Sequence, residues 1–319
     1  MLPSVTVIIV NWNSGELLSK CLASLATQSY LPARILVMDN GSTDGPVASP
    51  QSLSGVEVRS LGHNFGFAAA NNKALEECDT EFVALLNPDA FPEPDWLERL
   101  VEAANYKPDA VAFGSRQMIY ESSDLLDGIG DAYHISGLVW RERHGCTQSN
   151  NDLVAREIFS SCAAASLYRR EALMQVGSFD EDYFCYVEDV DLGFRLRLAG
   201  YKAMYIPDAV VHHIGSATTG GQQSDFSVYH GHRNLVWTYI KDMPGGLFWI
   251  LLPYHLLLNV FTVGWFVVHG QGRVILKAKW DALKGIPKMW RKRKHIQSNR
   301  TASIKDIWRA MDKRLIPWN

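Results

Sequence analysis

The sequence predicts an α/β protein with a mostly parallel central sheet, and three observations carry that prediction. Apolar runs at 5–10 (VTVIIV), 35–38 (ILVM) and 82–86 (FVALL) have the length of buried strands and are too short for helices. Between them, apolar residues fall at helical spacing, as with Leu17, Leu18, Cys21, Leu22 and Leu25. Each run ends in polar, Gly- or Pro-bearing residues, at the strand edge where open α/β sheets hold ligands.

Taken in order, the first strand, 5–10, ends in Asn11-Trp12-Asn13-Ser14-Gly15, and a helix follows over 15–28. The second, 35–38, ends in Asp39 and the turn residues Asn40 to Gly45. A third, 56–60, leads into Gly62-His63-Asn64-Phe65-Gly66-Phe67 and a helix over 68–78. The fourth, 82–86, delivers Asn87-Pro88-Asp89, and Pro92 and Pro94 forbid extension of the ladder. A helix begins near Trp96. An Asp in a turn ordinarily bonds its own backbone. Polar residues ending three strands (Asn11 and Asn13, Asp39, Asp89) point instead to one shared crevice. Neither GxGxxG nor GxxxxGK[ST] occurs, which argues against a dehydrogenase-type dinucleotide site or a P-loop.

From 110 to 165 the pattern is irregular, with Gly128, Gly130, Gly137 and Gly145, and reads as strands and loops over the crevice. The small residues at 162–167 read as plain core. Six acids then fall within 180–191, interleaved with aromatics, before a helix that runs to Leu198 and stops at Gly200. Acids suit a helix amino terminus in any case, but a carboxylate beside apolar rings also acquires a raised pKa useful to a base. Strand runs at 203–206 and 209–211 end in His212-His213-Ile214-Gly215-Ser216, and both a structural and a metal-ligating role stay open for the His pair. In the helix at 229–239, Arg233 suits either bidentate phosphate contact or plain solvation.

Composition bounds the function. The chain has 319 residues, 47% hydrophobic and 20% charged, as expected of a globular protein with a real core in one large domain or two smaller ones. Five cysteines without CxxC spacing fit a reducing compartment, not a disulfide framework or zinc cluster. The amino terminus lacks the basic start and apolar stretch of a secretion signal. The net charge of −3 hides fourteen Lys or Arg against three acids in 271–319, so an anionic partner is expected. The almost wholly apolar 248–268 just before that tail favours docking on the anionic cytoplasmic leaflet over nucleic acid, for which no reading motif is present. The alternative is a buried helical hairpin followed by a solvated basic face.

The ordered set VIIVNWN, MDNGSTDG, NFGFAAANN, LLNPDA, YVEDVDLGFRLRLAGY and HHIGSATTG resembles inverting glycosyltransferases of family two. It is most similar to the bacterial rhamnosyltransferases that build lipid-linked O-antigen, cell-wall or capsule precursors. The resemblance covers residues 4–240. It implies a GT-A fold with a nucleotide-sugar half (1–115), an acceptor and catalytic half (116–240) and a helical membrane-associating tail (241–319). By that resemblance Asn13 and Asp39, beside Asn11, contact the nucleoside, and Asn64 and Gly66 lie near base and ribose. Asn87-Pro88-Asp89 stands for a DxD motif with Asn in place of its first Asp, which leaves Asp89 as the main carboxylate on Mg²⁺ or Mn²⁺. His213, rather than His212, completes the metal shell, and Arg233 helps hold the diphosphate. Asp189 matches the catalytic base, supported by Glu188 and Asp191. The implied donor is a nucleotide-diphosphate sugar, with dTDP-rhamnose favoured, and the implied acceptor is a polyprenyl-diphosphate-linked saccharide at the cytoplasmic face of the inner membrane.

Overall fold

The computed structural model describes residues 3–45, 53, 55–122, 124–215, 221 and 223–314; Ser216 and the rest of its motif through 220 lie outside the described residues. The chain runs β1 (Val5–Asn11), α1 (Glu16–Leu25), β2 (Arg34–Asp39), β3 (Val56–Ser60), α2 (Phe67–Glu76), β4 (Phe82–Leu86), β5 (Ala90–Pro92) and α3 (Trp96–Tyr106). It continues β6 (Ala110–Ile119), β7 (Leu126–Gly128), β8 (Asp131–Tyr133), β9 (Val139–Arg141), β10 (Arg156–Ile158), β11 (Ala165–Arg169), α4 (Arg170–Gln175), α5 (Glu188–Leu198) and β12 (Lys202–His213). Four helices follow: α6 (Asp225–Asp242), α7 (Gly245–Val268), α8 (Gly272–Ser298) and α9 (Ile304–Ala310).

The sheet order is β10-β12-β6-β11-β4-β1-β2-β3. β3, β2, β1 and β4 are parallel, as are β6 and β12, while β11 enters antiparallel between β4 and β6. All five residues of β4 are buried because both sheet faces are covered, which is why the strand reads as an unbroken apolar run. Alternation along the strands divides the core. Val5, Val7, Ile9, Phe82 and Ala84 pack towards α1 and α3, whereas Ile8, Leu36, Val83 and Leu85 pack towards α2 and α5.

Two segments differ from the sequence pattern. The irregular stretch after 110 begins with β6, a ten-residue strand near the middle of the sheet. Gly114 and polar residues break its apolar run, but Ser115 is satisfied there by the Trp96 indole N–H at 2.7 Å. The runs at 203–206 and 209–211 are one strand, β12, with a register shift between Ile206 and Val210 at Pro207, which has no N–H to donate.

The expected division at residue 240 falls inside α6, where Lys241 and Asp242 are fully buried. A third core cluster joins Tyr133 of β8 and Phe194 of α5 to Trp237, Leu247, Met289 and Ile307, so α6 to α9 pack onto the body. Within it, α7 is the single helix among the described residues long and apolar enough to cross a membrane, with 11% of its apolar window buried. Trp249, Ile250, Leu257, Val260 and Phe261 are exposed, which overturns the buried-hairpin alternative. Nor is α8 a wholly solvated basic face. Its Lys288 and Lys292 pair with Asp180 and Asp182, and Lys279 donates to the His232 carbonyl at 3.0 Å.

Candidate active site

Parallel register between β1 and β2 sets Asn11 opposite Asp39 at the carboxyl edge. The Asn11 amide donates to Asp39 Oδ1 at 3.2 Å and to Ser42 Oγ at 3.1 Å. Asn13 Oδ1 accepts the Thr43 N–H at 2.8 Å, so the two loops are laced together. Asn64 ties its own loop to the one after β2, its Oδ1 accepting from Asn40 Nδ2 at 3.0 Å and from the Gly66 N–H at 2.8 Å. Asn40, buried and holding the Phe65 N–H at 2.9 Å, is a residue that sequence reasoning passed over. Gly66 has φ 86°, and a Cβ there would lie 2.6 Å from the Phe184 ring and carbonyl. This close approach packs the 62–66 loop against the segment that leads into the acid cluster.

Asn87 to Asp89 forms a turn, the Ala90 N–H reaching the Asn87 carbonyl at 3.1 Å while the Asn87 N–H donates to Ala164 at 2.8 Å. β5 then pairs with the end of β12, His213 opposite Ala90, which brings the imidazole beside buried Asp89. His213 Nε2 lies 3.2 Å from Asp89 Oδ1, and Nδ1 lies 2.7 Å from Asp127 Oδ2 on β7. Burial pulls the His213 pKa down, but Asp127 and Asp89 outweigh it and carry the group up to about 9. His212 on the opposite side of the strand meets Glu93 at 3.1 Å. The arrangement suits a hard cation. His213 Nε2 is buried 3.2 Å from Asp89 Oδ1, where a cation could replace the ring proton, while a carboxylate fixes the other ring nitrogen, as metal-binding imidazoles require.

The other end of the site is built on α5. Asp189 keeps part of its surface open; its Oδ2 accepts the Ala163 N–H at 3.2 Å, and its Oδ1 the Val190 N–H at 2.9 Å. Ligating atoms of Asp131, Cys162 and Asp189 lie within 4.8 Å of one another. Burial raises the Asp189 pKa, against the Ala163 N–H and the charge of Arg141. Burial and then the Asp189 charge push both Asp131 and Glu188 well above the ordinary carboxyl range.

Arg141 on β9 joins the two ends. One amino group pairs with Asp127, and the other donates to Cys162 Sγ at 3.1 Å. A line of neighbouring groups therefore runs from Asp89 through His213, Asp127 and Arg141 to Cys162, whose Sγ lies within 4.8 Å of carboxylate oxygens of Asp131 and Asp189. Gly128 allows this path, since a Cβ there would sit 2.2 Å from the Arg141 stem. Because Arg141 already supplies a cation beside Cys162, and a thiol is a poor partner for Mg²⁺ or Mn²⁺, the Asp89–His213 pair is the better metal site. Asp127, Asp131 and Arg141 went unread in the sequence. The available signal was a pair of acids flanking the glycines at 128 and 130.

Asp191 corrects an expectation. Two residues beyond Asp189 on a helix is about 200° of rotation, so it faces the other way. It is fully buried and paired with Lys241 and with Arg195 Nε at 2.9 Å, an internal ion network and not a support for the base. Arg233 is likewise turned to protein. Its Nη2 donates to the carbonyls of Asp182 at 3.2 Å and Tyr183 at 2.9 Å, and its guanidinium stacks 4.3 Å above Trp237.

Residues 6–177, more than half of the chain, match the family model for glycosyl transferase family 2. The chain is a family 2 glycosyltransferase. This glycosyltransferase is 32% identical over 247 residues to the N-acetylglucosaminyl-diphospho-decaprenol L-rhamnosyltransferase of Mycobacterium tuberculosis, covering 70% of this chain and 80% of that one. It is also 32% identical over 220 residues to the pre-mycofactocin glycosyltransferase of the same organism, covering 66% of this chain and 42% of that one. Among solved structures it resembles a mannosyltransferase from Pyrobaculum calidifontis in complex with GDP-Man and Mn²⁺, with a TM-score of 0.53 and 18% identity over 97% of this chain and 88% of that one. GalNAc-T7 with UDP, GalNAc and Mn²⁺ gives a TM-score of 0.59 and 14% identity over 75% of the glycosyltransferase and 48% of its own chain. These likenesses bear out the GT-A fold and the rhamnosyltransferase-like resemblance read from the motifs.

Proposed function

We propose that this glycosyltransferase moves L-rhamnose from dTDP-rhamnose, with inversion, onto a hydroxyl of a polyprenyl-diphosphate-linked saccharide at the cytoplasmic face of the cell membrane. The observation that carries the reading is the line of neighbouring groups from Asp89 to Asp189, which sets a carboxylate suited to a cation and a partly open, pKa-raised carboxylate at one sheet edge. The name of the mycobacterial relative supports the sugar and the lipid-linked acceptor.

Asp89 and His213 would hold Mg²⁺ or Mn²⁺, with Asp127 orienting the imidazole. Such a cation, when bound, neutralises charge on a departing diphosphate. Asn11, Asn13 and Asp39 shape the edge that receives the nucleoside. Asp189 takes the proton of the acceptor hydroxyl, and its raised pKa brings it towards the strength a base needs near neutral pH. Attack from the face opposite the diphosphate inverts the anomeric centre. The exposed apolar side of α7, with the outward bases of α8, rests on an anionic leaflet and brings the site to a membrane-anchored acceptor.

A donor screen that follows release of the nucleoside diphosphate, run with a short lipid-linked GlcNAc acceptor, tests the reading, with dTDP-rhamnose expected to lead. UDP-galactose or UDP-galactofuranose in first place would move the protein to another hexosyl transfer. Asp189→Asn is expected to keep donor binding and lose transfer; normal turnover by that variant removes Asp189 from the role. No affinity for any nucleotide sugar, with or without Mn²⁺, would make the chain a scaffold.

A further inference from the structure

The segment just before Glu188 and Asp189 is held in a costly conformation. Phe184, Tyr186 and Val187 have φ of 65°, 67° and 69°, a region that L residues avoid and a β-branched one most of all. Val187 is also the N-cap of α5 and offers no side-chain cap. Such a backbone persists only where its surroundings over-determine it. On one side the Ala68 N–H reaches the Phe184 carbonyl at 3.3 Å, and Gly66 lies under its ring.

On the other side stands Asn234 of α6, with no exposed surface. Its Nδ2 lies 3.0 Å from the Tyr183 carbonyl, 3.0 Å from that of Cys185 and 2.7 Å from that of Tyr186. Its Oδ1 accepts from Arg233 Nε at 2.9 Å, which fixes which way round the amide sits. Thr238, one turn on, adds a hydroxyl contact to Tyr183 Oη at 2.9 Å.

We propose that Asn234 is a positioning residue, a latch that gathers the carbonyls of 183–186 and so sets where α5 presents Glu188 and Asp189 to the acceptor. The side chains nearest to Asn in size do not fit the task at this position. Asp would turn an anion towards three carbonyl oxygens, and Leu would leave them without a donor in the core. Arg233 belongs to the same latch, since its other hydrogen bonds go to the carbonyls of Asp182 and Tyr183 at the start of that segment. The inference rests on Asp189 acting as the base, and the test separates the two.

Asn234→Ala, Asn234→Asp and Asn234→Ala with Val187→Gly are compared with the unaltered protein by amide hydrogen exchange and by steady-state transfer from dTDP-rhamnose to a GlcNAc-diphosphate-polyprenol. Asn234→Ala is expected to speed exchange over 184–189 alone, to lower kcat by roughly 100-fold as a misplacement of about 1 Å does, and to leave the donor KM within about threefold. Asn234→Asp, which keeps the volume, is expected to lose kcat in the same way. Glycine accepts a positive φ at no steric cost, so Val187→Gly is expected to restore kcat in the alanine background by about tenfold. Unchanged exchange at 184–189, unchanged kcat, a donor KM that rises in step with the loss, absence of rescue, or exchange raised uniformly through α5 and α6 would each overturn the latch. Asp189→Asn is run alongside. If it turns over normally the base reading has failed, and the exchange pattern alone still reports whether Asn234 holds the segment.

Discussion

Arg141→Gln removes the guanidinium that touches both Asp127 and Cys162, and its consequences can be worked out in sign and size. The Asp127 carboxylate is 5% exposed and the Arg141 side chain 25%, so this is a buried pair. Breaking a buried pair costs about 3–5 kcal/mol. Here His213 at 2.7 Å and His144 at 3.3 Å stay on Asp127, which argues for the lower end, about 3 kcal/mol. The effect on turnover is separate. The Arg141 charge lowers the pKa of both Asp189 and Asp131, so its loss lets both rise. A base with a higher pKa ionises at higher pH, so the acidic limb of kcat/KM moves to higher pH and activity falls on its acid side. Urea denaturation and a pH–rate profile from 5 to 8 read the two effects. Arg141→Lys keeps the charge and loses the two-pronged geometry, so it is expected to return the limb while recovering only part of the stability. An acidic limb that stays in place in Arg141→Gln, whatever the stability, would refute the electrostatic link between Arg141 and the base.

Asp89→Asn and His213→Ala are each expected to weaken Mn²⁺ binding by about tenfold or more, read by titration with the metal alone. Asp191→Asn leaves Lys241 and Arg195 short of their buried partner and is expected to cost about 3–5 kcal/mol in denaturation, with the pH–rate profile of the folded enzyme unmoved. Gly66→Ala combines a strained φ with a Cβ at 2.6 Å from Phe184, about 2–4 kcal/mol together, and is expected to lower kcat as well as stability. Lys241 and Lys292, against burial, hold the Asp180 pKa below the usual carboxylate range. Its contribution is therefore present at neutral pH and fades as pH falls below about 4, which acid denaturation of Asp180→Asn against the unaltered chain would show as a smaller pH dependence.

The strands were legible because burial on both faces writes them as continuous apolar runs, and the polar residues at their carboxyl ends follow from that topology. That signal alone singled out Asn11, Asp39 and Asp89, and the structure sets Asn11 beside Asp39 and Asp89 beside His213. The order of six motifs gave the family and its GT-A fold. The pairings that give the cleft its charge pattern were not legible. Asp127 meets His213 across 86 residues of sequence, and nothing local to either announces it. β6 was hidden by polar residues that only the folded core satisfies, as Trp96 does for Ser115. Asp189 and Asp191 look alike in the sequence, and what separates them is helix phase together with Lys241 arriving from α6. The exposure of α7 likewise depends on which helices α6 and α8 cover. A sequence determines which segments bury and where they break, since these follow from local hydrophobicity and backbone restraint. Which carboxylate gains a cation, and which a proton, depends on groups that only the folded chain brings within a few ångströms.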